Sequence, residues 1–68
     1  MEPVKIYGEY ITLQQFLKKK DLISSGGEAK FYLSEHPVLV NDTLENRRGR
    51  KLYPNDKIQV HGKEYVIK

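Results

Sequence analysis

The first periodic segment of the chain follows Thr12. Three apolar residues recur at spacings of three and four, which places them on one face of a helix: Leu13, Phe16 and Leu17. Thr12 and Gln15 have the spacing of a capping box, in which each side chain bonds the backbone amide of the other residue. The pattern predicts a first helix that begins after Thr12 and ends at the lysine run 18–20, where the helix dipole favours cations.

A second helix start follows at Ser25. Ser25 and Glu28 again have capping-box spacing, so we expect Ser25 to cap this helix and Glu28 to bond back to it. The helix should run to about Glu35, because the His-Pro pair that follows cannot continue a helical ladder. Three residues share its inner face: Ala29, Tyr32 and Leu33. Phe31 points to the opposite side, and we expect it to pack under residues 7–10, with stacking on an unpaired base as the alternative.

Beyond Pro37 the pattern changes to the alternation that is typical of strands. Strands are predicted around 38–40, 44–46, 58–60 and 65–67, the first and third from alternating apolar residues, and Leu52 is expected to anchor the core between the second and third. Turns are predicted at Asn41-Asp42, Pro54-Asn55-Asp56 and Gly62. A further strand is predicted over residues 4–7. The resulting order, β-α-α-β-β-β-β, predicts an α+β domain in which two helices pack on a small, mostly antiparallel sheet.

The length and composition narrow the class of protein. A chain of 68 residues has room for one small domain at most, which we expect to be residues 1–68. The absence of cysteine excludes disulfides, thiolate nucleophiles and cysteine-ligated zinc. Apolar runs such as residues 38–40 are far shorter than the ~20 residues of a membrane span, and no targeting segment is visible. We therefore expect a soluble, cytoplasmic protein with no membrane association.

The sequence gives little support to catalysis. His36 and His61 are the only histidines, and neither has metal-ligand spacing or a matched nucleophile beside it. No Gly-x-x-x-x-Gly-Lys loop is present to hold a nucleotide phosphate. We expect no enzymatic activity, no metal site and no cofactor, and we assign His36 to the helix end.

The cations are concentrated in two clusters. Lysine and arginine number 12 against 9 acidic residues, a net charge of +3, and 7 of the 12 lie in residues 18–20 and 47–51. Such clusters suit a polyanion, because each neutralised phosphate releases condensed counterions. The lysine run is better explained by solubility and by its place at the helix end, whereas the Arg-rich segment favours phosphate or base contacts, since guanidinium forks match them.

Several short motifs occur in order between Ile11 and Val60. They are Leu13, Phe16-Leu17, Ser25, Glu28-Ala29-Lys30, Val38-Leu39-Val40-Asn41, Arg50-Lys51-Leu52 and Pro54-Asn55-Asp56-Lys57-Ile58. In this order they resemble the S4 RNA-binding domain, or alpha-L RNA-binding motif. The similarity is greatest to short stand-alone bacterial S4 proteins, whose Ser-Gly-Gly-Glu-Ala-Lys and Asn-Arg-Arg-Gly-Arg-Lys-Leu segments are found here at residues 25–30 and 46–52.

The resemblance implies a module that docks on structured RNA, with ribosomal RNA as the leading candidate and a role in ribosome assembly. Its implied RNA contacts are Ser25, Gly26, Gly27, Lys30, Arg47, Arg48, Arg50 and Lys51. Further candidate contacts are Lys18, Lys20, Phe31 and Asn41, although Asn41 is better explained by its turn. Glycine amides at a helix start independently favour close approach of a phosphate, or simply a permissive helix entry. We expect a monomer, with ribosomal proteins as further possible partners.

Three departures from the family pattern stand out. Many S4 domains carry an arginine just before the first helix leucine and another just after the serine of helix two, whereas this chain has Thr12 and Gly26. Two implied RNA contacts are therefore missing. Turn glycines of the family are replaced by Asp42 and Asn55, which tolerate the left-handed conformation and leave the fold intact.

Two other functions compete with RNA binding. The basic segment could meet an acidic protein partner, with Tyr7, Tyr10 and Phe31 as an apolar patch of an interaction adaptor. Weak DNA binding is the other alternative, because a cationic loop does not by itself discriminate between sugars. Against DNA, the chain has no recognition helix rich in Arg, Asn or Gln for the major groove.

Overall fold

Two helices and seven short strands make up the fold, and the computed structural model describes residues 1–68. The helices are α1, Leu13–Lys19, and α2, Gly27–Glu35. The strands are β1 (Glu2–Val4), β2 (Ile11–Thr12), β3 (Val38–Val40), β4 (Thr43–Glu45), β5 (Lys51–Leu52), β6 (Lys57–Val60) and β7 (Lys63–Ile67). Neither helix is long and apolar enough to cross a membrane.

Five strands form the main sheet, in the order β1-β7-β6-β3-β4. Strand β1 runs parallel to β7, and the other three pairings are antiparallel. The predicted α+β architecture with a mostly antiparallel sheet is therefore confirmed. The first strand lies earlier than predicted, because the chain leaves the sheet after Val4, although Ile6 is still buried.

A second, two-stranded sheet pairs β2 with β5 antiparallel and was not predicted. Each strand has only two residues, too few for an alternating pattern to show. The ladder joins the start of α1 to the segment after the arginine cluster. It thereby sets the position of that cluster on the protein.

One apolar core lies between the helices and the sheet. The predicted stripe of α1, Leu13, Phe16 and Leu17, is fully buried, and Ala29 and Leu33 are buried on α2. The buried apolar residues of the main sheet are Val4, Val38, Val40, Ile58, Val60, Tyr65 and Ile67. Phe16 meets Tyr65 edge to face, with ring centroids 5.2 Å apart. Leu52 is fully buried, which confirms it as a core anchor.

The predicted turns contain left-handed residues that are not glycine. Asn41 and Asp42 have φ values of 51° and 68°, and they connect β3 to β4. Two consecutive left-handed residues give the backbone twist that antiparallel strands require, and Asn and Asp adopt this conformation more readily than most residues. Asn55 has φ of 80° in the turn before β6. The substitution of family glycines by Asp42 and Asn55 therefore leaves both turns intact.

A left-handed residue, Asp21, follows the C-cap of helix α1, Lys20. The amide of Leu22 donates to the Leu17 carbonyl at 2.9 Å, and the amide of Asp21 donates to the Lys18 carbonyl at 3.0 Å. This pair of bonds is the Schellman motif, in which the left-handed position is usually glycine. Asp21 fills it with φ of 59°.

Candidate nucleic-acid interface

The basic loop, residues 46–50, connects β4 to β5 and is bonded to the start of α1. The Leu13 amide donates to the Arg50 carbonyl at 2.8 Å, and the Gln14 amide donates to the Arg48 carbonyl at 2.9 Å. The next helix amide, of Gln15, donates to the Thr12 hydroxyl at 3.1 Å, as the predicted capping box requires. The loop carbonyls thus satisfy amides that a helix start leaves without partners, and the loop is fixed in place.

A buried carboxylate organises the arginines. Glu45, 6% exposed, accepts bonds from Arg47 Nε at 3.0 Å, Arg47 Nη2 at 3.2 Å and Arg50 Nη1 at 2.7 Å. It also accepts the backbone amides of Asn46 and Arg47. The bonds from Arg47, and after them those from Arg50, hold the pKa of Glu45 at about 2, although burial alone would raise it. Glu45 therefore stays ionised and positions two guanidinium groups.

The other two cations of this segment have no acidic partner. Arg48 and Lys51 are exposed and belong to no ion pair. Arg47 is 74% exposed despite its bonds to Glu45. Around Glu45 the surface therefore presents four cations against a single carboxylate, which favours an anionic ligand.

The outer face of the β2–β5 ladder carries two aromatic rings. Ile11 pairs with Leu52 and Thr12 with Lys51, so the register places Tyr10 opposite Tyr53. Their ring centroids are 5.7 Å apart at an angle of 50°, and Lys51 Nζ lies 5.1 Å from the Tyr10 centroid. We call Tyr10, Lys51 and Tyr53 the ribbon face. A shallow depression of about 430 Å³ beside it is lined by Arg47, Gly49, Arg50, Lys51 and Tyr53.

Tyr53 was not among the residues predicted from the sequence. The signal that could have identified it is the expected core position of Leu52, because in an extended segment the two neighbours of a buried residue lie together on the opposite face. Tyr10 was grouped with Tyr7 and Phe31, but its aromatic partner is Tyr53. Glu45 was also missed, because one glutamate before an arginine cluster has no distinctive pattern.

The start of α2 differs from the predicted capping box. The N-cap residue is Gly26, which has helical angles and no side-chain cap, so the prediction of Ser25 as cap is wrong. The Glu28 carboxylate bonds the Ser24 hydroxyl and accepts the Ser24 amide at 3.1 Å. Those bonds lower the pKa of Glu28.

The start of α2 differs from the prediction because its first turn is tight. The Glu28 amide donates to the Ser25 carbonyl and the Ala29 amide to the Gly26 carbonyl, both at 3.2 Å and both across three residues. The tight turn brings the Glu28 side chain to Ser24. The amides of Gly26 and Gly27 donate to no group of the chain, as the prediction of an open helix start requires.

Gln14 connects the start of α2 to the basic loop. A Cβ added to Gly26 would lie 2.5 Å from Gln14 Nε2, so the glycine backbone packs directly on this side chain. The amide of Gln14 is in turn bonded to the Arg48 carbonyl. The two predicted segments, far apart in sequence, are therefore neighbours. Lys30 is exposed and unpaired three residues after Gly27, on the same helix face.

The remaining candidates lie in other settings. Lys18 is exposed on α1, where it lines a second shallow depression with Ile11, Gln15 and Lys19. Lys20 is ion-paired with Glu2, which connects the end of α1 to β1. Their part in RNA binding stays a prediction, and Lys20 has a structural role besides.

Phe31 and Asn41 complete the predicted set. Phe31 is 69% exposed, so the expectation that it packs under residues 7–10 is wrong. Asn41 Oδ1 accepts the Lys57 amide at 2.9 Å, and Asn41 Nδ2 donates to Asp56 Oδ1 at 3.1 Å. The Asn41 side chain thus joins its turn to the start of β6, which is the structural role that was favoured for it.

Comparison with known proteins gives two matches. The family profile described as "S4 domain" matches residues 4–68. A protein of Bacillus subtilis (strain 168), named "Probable ribosome maturation protein RlbA", is 60% identical over 60 residues, which are 88% of this chain and 84% of that protein. No solved structure matches significantly. The profile match covers both the basic loop and the start of α2.

Proposed function

The chain belongs to the S4 domain family, and on that premise we propose that it binds structured ribosomal RNA as a non-catalytic factor in ribosome maturation. The family membership supports RNA as the ligand. The Bacillus subtilis relative is named as a ribosome maturation protein, which supports the process. The place of action in this proposal is the cytoplasm, where bacterial ribosomes are assembled.

The observation that carries the proposal is the fixed cationic surface beside the open start of α2. Arg47 and Arg50 are held by Glu45, and the loop backbone is held by α1. A ligand that binds this surface has little loop freedom to remove, which lowers the entropic cost of binding. Phosphates are the matching ligand, because guanidinium groups give them charge-assisted, forked hydrogen bonds.

Recognition in this proposal depends on shape more than on base sequence. An RNA helix displays phosphates and 2'-hydroxyls across a wide, shallow minor groove, and arginines on a protruding loop reach both. One strand of the RNA contacts the basic loop, and the other approaches the amides of Gly26 and Gly27, with Lys30 as a further phosphate contact. Such contacts would hold a folded RNA in position without catalysing a reaction on it.

The experiment that tests the proposal measures binding to structured ribosomal RNA fragments and to duplex DNA of matched length across a range of salt concentrations. The test variant combines Arg48→Glu and Lys51→Glu, because neither cation is ion-paired. The matched control combines Lys57→Glu and Lys68→Glu, which are exposed, unpaired and outside the proposed surface. Both variants change the net charge equally.

We expect the wild type to prefer RNA and to bind it with a steep salt dependence. The test variant should lose most of this affinity, and each lost phosphate contact should reduce the salt slope by about 0.9. The control should retain the contacts at the proposed surface and lose only the part of the affinity that comes from the net positive charge of the protein. Equal losses in both variants would contradict the proposed surface. Failure of the wild type to bind either nucleic acid would refute RNA binding and favour the protein adaptor.

A further inference from the structure

The ribbon face places a pair of contacting, partly exposed tyrosine rings next to a cationic depression. Tyr10 is 39% exposed and Tyr53 is 46% exposed, whereas Leu52, on the opposite face of the same ladder, is fully buried. The core therefore does not need either ring. Burial of an aromatic ring is favourable, so a paired, solvent-facing arrangement indicates a surface that is covered when a ligand binds.

The position of the rings specifies the chemistry of that ligand. Tyr53 lines the depression together with Arg47, Gly49 and Arg50, so its ring borders the proposed phosphate contacts. Lys51 Nζ lies beside the Tyr10 ring. Aromatic rings next to a basic groove are the arrangement by which proteins bind single-stranded nucleic acid, with phosphates on the cations and bases on the rings.

We infer that Tyr10 and Tyr53 form a stacking site for an unpaired base of the bound RNA, next to the phosphates held by the basic loop. This inference rests on the proposed function and narrows it. In a regular helix the bases are stacked inside and cannot reach a protein ring. The preferred RNA is therefore a helix with an extruded nucleotide, such as a bulge. Stacking accepts any base, because every base has a π-face.

The test compares two RNA hairpins that differ only in one unpaired nucleotide, which is present in the bulged RNA and absent from the fully paired RNA. The variants are Tyr53→Leu and Tyr10→Leu, which remove the rings, and Tyr53→Phe, which keeps the ring and removes only the hydroxyl. Tyr7→Leu is the matched control, because Tyr7 is exposed, belongs to no aromatic pair and lies outside the ribbon face.

We expect the wild type to bind the bulged RNA about tenfold more tightly than the paired RNA, since stacking of one base contributes about this much. Tyr53→Leu and Tyr10→Leu should remove the preference and leave the salt slope unchanged, because no cation is lost. Tyr53→Phe and Tyr7→Leu should keep it. In NMR spectra, the ring protons of Tyr53 should shift upfield with the bulged RNA only, a change that a merely structural role would not produce.

Two results would overturn the inference. If the wild type binds both RNAs equally, or if Tyr53→Leu weakens both by the same factor, no base stacks on the ring, while RNA binding by the basic loop still stands. If the wild type binds neither RNA, the proposed function itself fails and the stacking site with it. The paired hairpin thus separates failure of the inference from failure of the proposed function.

Discussion

Replacement of Glu45 by glutamine should destabilise the protein in a pH-dependent way. Glu45→Gln keeps the size of the side chain and removes its charge. The variant loses the charge-assisted bonds to Arg47 and Arg50 and leaves a neutral amide, which cannot accept as many of the five donors that face the carboxylate. Donors that face the buried carboxylate then lack acceptors, which is one of the recognised causes of a large loss from one substitution.

The magnitude follows from the pKa of Glu45. A change from the ordinary 4.5 to about 2 corresponds to ~3 kcal/mol of stabilisation of the folded protein. This figure is an upper bound, because Arg47, the main partner, is 74% exposed and solvent screens the interaction. We expect Glu45→Gln to lower the free energy of unfolding at pH 7 by ~1–2 kcal/mol, or Tm by ~5–10 °C for a domain of this size.

The pH dependence has a definite sign. The pKa of Glu45 is depressed in the folded protein, so its contribution is complete above about pH 4.5 and is lost as the pH falls through about 2. The assay is urea unfolding followed by circular dichroism at pH 7, 5 and 3. The difference between wild type and Glu45→Gln should be constant from pH 7 to 5 and smaller at pH 3.

Glu64→Gln is the control, because Glu64 is exposed and takes part in no ion pair. It should change the free energy of unfolding by less than ~0.5 kcal/mol. If Glu45→Gln had the same free energy of unfolding as the wild type at pH 7, the argument that this carboxylate stabilises the loop would be refuted. A deficit that stayed the same at pH 3 would show that the cause is packing and not charge.

Three further substitutions test separate parts of the structure. Leu52→Ala should lower the free energy of unfolding by ~2–5 kcal/mol, because Leu52 is fully buried. Thermal unfolding should then show a domain at the limit of stability, and a decrease below ~1 kcal/mol would contradict the role of Leu52 as anchor. Asp21→Gly should raise the free energy of unfolding by ~1 kcal/mol, since glycine relieves the left-handed conformation at φ of 59°; a lower Tm would count against this. Gly26→Ala should weaken RNA binding with little change in Tm, because the added methyl displaces only the flexible end of Gln14 yet covers the backbone; unchanged affinity would remove these amides from the proposed site.

Local signals in the sequence predicted much of the fold. The capping box of Thr12 and Gln15 and the stripe on α1 are properties of neighbouring residues, so the structure confirms both. The prediction of the second capping box was wrong, because Glu28 follows two adjacent serines and its carboxylate can bond back to either one. With Gly26 as the N-cap in a helical conformation, the carboxylate of Glu28 bonds the hydroxyl and the amide of Ser24, and Ser25 does not cap the helix.

The candidate site depends on contacts that local patterns do not specify. The ladder that places Tyr10 opposite Tyr53 joins residues 43 positions apart through strands of two residues each. The contact of Gly26 with Gln14 is likewise set by the packing of the two helices. The sequence shows directly where the cations are clustered. Which residues lie next to them depends on the tertiary packing of segments that are far apart in sequence.

A carboxylate within a surface for polyanions looks unfavourable at first, and the geometry of Glu45 resolves the conflict. The carboxylate lies 6% exposed beneath the arginines, so its charge is neutralised by two guanidinium groups before any ligand arrives. A guanidinium carries more N–H groups than one carboxylate uses, and the exposed Arg47 keeps donors for a phosphate while it is held in place. Lysine could not do both in a fixed plane, which explains why this loop contains arginine, whereas Lys18 and Lys19 at the end of α1 hold no carboxylate in the same way. The negative charge of Glu45 thus reduces the attraction for phosphate slightly and in return removes the rotational freedom of the side chains that bind it.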